Sequence, residues 1–175
     1  MADGNAQQKL QSYLAAQSVK LLAAEIRARL DEAATELFAS LEGVGEAAAH
    51  TRPAEGEWSV AEVVDHVTLT LDEVASIIRT LAGGVRPSRP MTVALAPRNA
   101  GRPLADLAAR LRRSQTALSE FLAAQSSEPH TDLRVPDDYF GEINWKGYAL
   151  ILRLHYKDHA QQVRKTLSSS EKEGV

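Results

Sequence analysis

Residues 145–167 read WKGYALILRLHYKDHAQQVRKTL, and their periodicity decides the fold. At about 100° per residue, Tyr148, Ile151, Leu152, His155, His159, Gln162 and Val163 fall on one side, with Arg153, Lys157, Gln161 and Arg164 mostly on the other. This spacing predicts an amphipathic helix whose inward face carries two imidazoles. His155 and His159 are four residues apart, so their rings lie about one turn apart on the same face. A ring nitrogen turned into an apolar core needs a hydrogen-bond partner, a water or a metal ion. The pair therefore has two readings: ligands of a metal, or core histidines satisfied by backbone or carboxylate in a bundle that scaffolds a partner.

Working outward, Asn144 offers a cap to this helix. The preceding connection, SSEPHTDLRVPDDYFGEIN, is punctuated by Pro129, Pro136 and Gly141. Before it, Leu104, Leu107, Leu111, Leu118, Phe121 and Leu122 predict a helix ending around Gln125, with Pro103 at its first position. Between Gly83 and Arg102 lies a long Pro- and Arg-containing connection with the apolar run Met91 to Ala96 inside it. It is long enough to cross the bundle or cover one end as a lid. Ser59 and Glu62 form a capping box, with Trp58 and Val63 spaced as a hydrophobic staple. The helix they start carries Val60, Val63, Val64, Val67, Leu71, Val74, Ile78 and Leu81 as a stripe, with His66 and Ile77 at its edge, and stops at Gly83 and Gly84. The first element reads as one long helix from about Leu10 to Glu42, carried by Leu14, Leu21, Leu22, Ile26, Leu30, Leu37 and Leu41. The tail SSSEKEGV is polar and expected to fray.

Composition narrows the function. The 175 residues suffice for one domain with a sizeable core, and an Ala- and Leu-rich, aromatic-poor chain favours helices. The formal net charge of −3 gives no basic footprint for a phosphate backbone, so nucleic acid is not expected as a partner. With no cysteine there is no disulfide, thiolate metal site or cysteine nucleophile, which fits a cytoplasmic protein. Neither a signal peptide nor a membrane span is indicated. Any metal must sit on His, Asp, Glu or water.

His66 on the second helix and the His155–His159 pair on the last, together with EWSVAEVVDHV around His66, resemble the DinB/YfiT-like superfamily over most of the chain. The segment W-S-x-x-E-x-x-x-H is the more telling part, because it joins a cap, a staple and a ligand in one register; an H-x-x-x-H pair alone is weak. The resemblance implies an all-α four-helix bundle with long inter-helix connections, forming a single domain over residues 1–175 with an ordered core from about 10 to 167. It further implies that His66, His155 and His159 bind a divalent metal, commonly zinc or nickel, with water completing the shell. Three neutral ligands and an open position leave such an ion a strong Lewis acid, the arrangement of a catalytic site. The activity implied is that of a metal-dependent transferase using a low-molecular-weight thiol, such as bacillithiol, mycothiol or glutathione, on an electrophilic small-molecule substrate. A metal-dependent hydrolase and a non-catalytic, stress-related binding or structural bundle are the alternatives. Family members often form homodimers through helix faces, to which the Met91–Ala96 run would contribute.

Two further residues are candidates for the pocket. Glu62 lies one turn before His66 and either approaches the metal or simply completes the capping box. Tyr148 lies two turns before His155, as a pocket wall or a plain core tyrosine. Asp65 and Asp158 each adjoin a ligand in sequence and so point about 100° away from its face. His50 and His130 fall in connections and read as surface residues.

Overall fold

A computed structural model describes residues 2–88, 91 and 95–170. The helices are α1 (Ala2–Lys20), α2 (Ala23–Ala39), the short α3 (Glu46–His50), α4 (Val60–Ala82), α5 (Leu104–Ala123) and α6 (Trp145–Ser170). Before α6 stands a small antiparallel hairpin, β1 (Val135–Asp137) and β2 (Gly141–Ile143), in the register Val135 with Ile143 and Asp137 with Gly141. Because each amphipathic helix must bury its stripe, α2, α4, α5 and α6 close a ring: α2 and α4 each pack against both α5 and α6. The result is the expected four-helix bundle. Its centre is filled by Ile26, Leu30 and Leu37 from α2, the whole Val60–Leu81 stripe of α4, Leu111 and Leu118 from α5, and Leu152, Ala160 and Val163 from α6. The start of α6 is covered all round: every residue from Ile143 to Leu152 is buried.

The single long first helix expected from Leu10 to Glu42 is instead two helices. Leu22 takes an extended backbone (φ −72°, ψ 155°) between them. The freed donors at the start of α2 are met locally and from afar: Leu22 N–H donates to Glu25 at 2.8 Å, and Ala23 N–H donates to Glu128 at 2.5 Å. The same Glu128 pairs with the buried ammonium of Lys146 at 2.9 Å, joining α2 to α6. α1 then lies against α6 and β2, burying Leu14 and donating from Gln7 and Gln11 to the backbone carbonyls of Asp138 and Tyr139.

Other boundaries follow from their caps. Ser59 Oγ accepts from Glu62 N–H and Glu62 accepts from Ser59 N–H, so the capping box is present. Asn144 Oδ1 accepts from Gly147 N–H at 3.0 Å, capping α6. Pro103 stands just before α5 rather than inside it, with ψ 139°, and the carboxylate of Glu46 on α3 accepts the Leu104 N–H. The hairpin lies in the segment expected as plain connection. Asp137 Oδ1 accepts from both Tyr139 and Phe140 N–H, and Gly141 at φ +78° closes the turn. Ser168–Ser170 continue α6 instead of fraying, and the remaining tail, 171–175, lies outside the described residues.

In the Gly83–Arg102 connection, the described residues 85–88 and 95–99 lie beside α4 as a strap. It begins against Ile77 with Arg86, Pro87 and Ser88; farther on, Leu95 reaches His66, and Arg98 and Asn99 reach Asp65. Met91 is buried in the chain's own core rather than offered to a second copy, and residues 92–94 of that apolar run lie outside the described residues. Among the described residues no helix is long and apolar enough to cross a membrane.

Candidate metal centre

His66 sits in the second turn of α4, where the cap that fixes the helix start also fixes its direction. Trp58, immediately before that cap, places its ring 4.7 Å from the His66 ring, centre to centre. From α6, His155 and His159 meet the same point. Ring centres are 5.0 Å apart for His66–His155, 4.9 Å for His66–His159 and 4.3 Å for His155–His159. One ring nitrogen from each of the three lies within 4.8 Å of the others. The three predicted ligands are thus brought together from two helices, 89 residues apart for His66 and His155.

Hydrogen bonding orients the rings. Nδ1 of His66 lies 2.6 Å from the Leu95 carbonyl oxygen; a carbonyl only accepts, so this nitrogen carries the proton and Nε2 keeps its lone pair. Nδ1 of His159 likewise donates to Gln162 Oε1 at 2.7 Å. His155 differs, for its Nε2 is buried with no hydrogen-bond partner. Burial, reinforced by the neighbouring His159 and His66, pushes His155 down to about 2. Burial also pulls His66 and His159 below the usual histidine range. At neutral pH the cluster is three uncharged imidazoles, the protonation state that metal ligation requires. An orphaned buried nitrogen in a cluster whose other two rings each keep one nitrogen free to ligate fits a divalent ion.

Beside the cluster opens a cleft of about 420 Å³ lined by Gly56, Glu57, Trp58, Gln162, Lys165 and Thr166. Trp58 and Gln162 belong both to this cleft and to the contacts of His66 and His159. Its border is the short segment before α4 and the last turns of α6. Of the two long connections, the Gly83–Arg102 strap reaches the cluster, through Leu95.

Glu62 and Tyr148 are not gathered into the cluster. The Glu62 carboxylate binds Arg52, with Nε at 2.9 Å and Nη2 closer still, and accepts from Ser59 N–H. The Arg52 guanidinium holds it below the usual carboxylate range. Tyr148 is buried and lines a second cleft of about 410 Å³ with Ile77, Arg86, Pro87, Ser88, Val135 and Asp137. Burial, together with Asp137, pushes its hydroxyl up to about 12. His50 pairs with Glu46 at 2.8 Å, and the His130 ring lies against Gly84.

Asp65 is the residue whose importance sequence reading missed. It does turn away from the ligand face, yet it is fully buried, accepting from Arg98 N–H and Asn99 N–H at 2.6 Å each. The available signal was an acid inside the apolar run VVDHV, because a buried carboxylate must be supplied with donors.

No curated protein matches the chain. Among solved structures it is similar to TT2238, described as a four-helix bundle protein, with 24% identity and a TM-score of 0.61 over 82% of this chain and 98% of that one. At this identity the likeness is one of fold. A family model, that of the DinB superfamily, matches residues 29–163, a span that holds all three histidines, the whole of α4 and α5 and most of α2 and α6. The chain belongs to the DinB superfamily.

Proposed function

We propose that His66, His155 and His159 hold one divalent metal ion, zinc or nickel, and that the protein is a metal-dependent transferase joining a low-molecular-weight thiol to an electrophilic small molecule. The observation that carries this reading is the buried, partnerless Nε2 of His155 among two rings whose Nδ1 protons are already committed. When bound, a divalent ion with three neutral ligands and an open position supplies Lewis acidity that lowers the pKa of a thiol or water. The chain's own residues do the rest. The Leu95 carbonyl and the Gln162 amide hold His66 and His159 in the tautomer with Nε2 free, and Trp58 walls the rings on the side of the cleft. The cleft beside them has the size of a small-molecule site.

The test is product formation by metal-loaded protein given glutathione, bacillithiol or mycothiol together with an aryl halide or epoxide. Thiol conjugate formed by the wild type and lost in His155→Ala supports the reading. Ester cleavage without any thiol assigns a hydrolase instead, and metal uptake with neither activity assigns a binding bundle. In keeping with this reading, residues 1–175 act as one domain in a cytoplasmic homodimer; sedimentation at about twice the chain mass of 19.0 kDa checks the assembly.

A further inference from the structure

The geometry points to Asp65 as a positioning residue that sets metal affinity by holding the strap on His66. This inference rests on the metal reading above. Asp65 and His66 are consecutive on α4 and grip the same strap from two directions: the carboxylate takes the backbone N–H groups of Arg98 and Asn99, and the imidazole takes the carbonyl of Leu95. Between these grips lie only Ala96 and Pro97. Proline fixes its own φ and restricts the residue before it, so the position of the Asp65 anchor is transmitted to the Leu95 carbonyl with little slack. The carboxylate is completely buried and further held by Asn99 Nδ2 at 3.3 Å and the Arg110 guanidinium at 3.6 Å. Two backbone N–H groups on one charged oxygen make a strong, directional clasp.

The consequence concerns the tautomer. With Leu95 in place, His66 keeps its proton on Nδ1 and offers Nε2. Without the clasp the strap loses its register, and His66 is free to carry the proton on either nitrogen. Outer partners that orient ligating histidines typically change metal affinity about ten- to a hundred-fold.

Three proteins test this: wild type, Asp65→Asn and Asp65→Ala. Asp72→Asn serves as a control, because Asp72 sits on the same helix and binds Arg110 and Ser114 of α5, with no strap hydrogen bond among the described residues. Zinc affinity is measured by competition with a chromophoric chelator, and the His66 tautomer by ¹⁵N NMR of the metal-free proteins. Asp65→Ala is expected to weaken zinc binding about ten- to a hundred-fold and to shift His66 from a pure Nδ1–H form to a mixture. The isosteric Asp65→Asn, which still presents one accepting oxygen to the backbone, should recover part of both, while Asp72→Asn matches the wild type. Unchanged zinc affinity and tautomer in both Asp65 variants overturn the inference, as does an equal loss in Asp72→Asn, which would assign the effect to α4–α5 packing. A wild type that binds no zinc defeats the metal reading; the NMR result then still decides whether Asp65 controls His66.

Discussion

Glu62 shows how a single side chain one turn from the candidate centre can be fully occupied by structure. Its carboxylate caps α4 and pairs with an Arg52 that is 57% exposed. Glutamine can still reach back to Ser59 N–H, so Glu62→Gln should cost no more than about 1 kcal/mol, the range of exposed ion pairs. The sign of its pH dependence follows from the folded carboxyl lying below the ordinary 4.5. The stabilisation is present above that value and is lost as pH falls through the lowered folded one. Urea unfolding should therefore separate wild type from Glu62→Gln near neutral pH and bring them together in strong acid. Zinc affinity should be equal in both; a large loss would return Glu62 to the metal site. Gly147 reverses a usual rule. Replacing glycine by alanine inside a helix ordinarily gains about 0.5–1 kcal/mol, but a Cβ at Gly147 would stand 2.5 Å from Ile143 Cγ1. Overpacking of this kind costs about 1–3 kcal/mol, so Gly147→Ala should be destabilised in thermal unfolding, with relief in an Ile143→Ala background. The three histidines were legible because helical periodicity alone places His155 and His159 together, and a capping box fixes the register of His66. Asp65 was not, because its donors lie 33 and 34 residues further along the chain.

At the scale of elements, α1 is an addition to the bundle rather than one of its four members. The family match begins after it, at residue 29, and among its described residues only Leu14 and Ser18 are buried. Removing residues 2–20 should lower the unfolding temperature while leaving a helical, zinc-binding protein; loss of zinc binding on truncation would make α1 part of the centre. Within the full chain, Leu14→Ala should cost about 2–5 kcal/mol, the range for a buried leucine, measured by denaturant unfolding. The break between α1 and α2 was hidden because Leu14, Leu21, Leu22 and Ile26 continue a helical spacing with no glycine or proline to interrupt it. What ends α1 there is Glu128, 105 residues away, waiting for the Ala23 N–H. The hairpin was hidden for the opposite reason: strands of three residues are too short for an alternating pattern to register, although the Asp137 to Gly141 turn residues were in view. Start of α4 and start of α6 were readable because Ser59 and Asn144 act within three residues of themselves.

For the whole molecule, the candidate centre joins two helices that are distant in sequence, so an ion there would act on global stability. Binding to the folded state alone adds about 2.7 kcal/mol when free metal is a hundred times its Kd. For a chain of this size that corresponds to a rise of roughly 5–10 °C in Tm, reversed by a chelator and absent in a His155→Ala protein. The fold as a whole was legible because four apolar stripes leave few ways to bury themselves other than a bundle. Which helix neighbours which was not, because that depends on long-range links such as Glu128–Lys146 and the Asp65 clasp. The central claim, that the three histidines hold a metal ion, is tested most directly by elemental analysis of untagged protein beside a His155→Ala, His159→Ala double variant. The expected result is about one divalent ion per wild-type chain and essentially none in a variant that remains helical. A folded wild type that stays metal-free even after incubation with zinc and with nickel would contradict it.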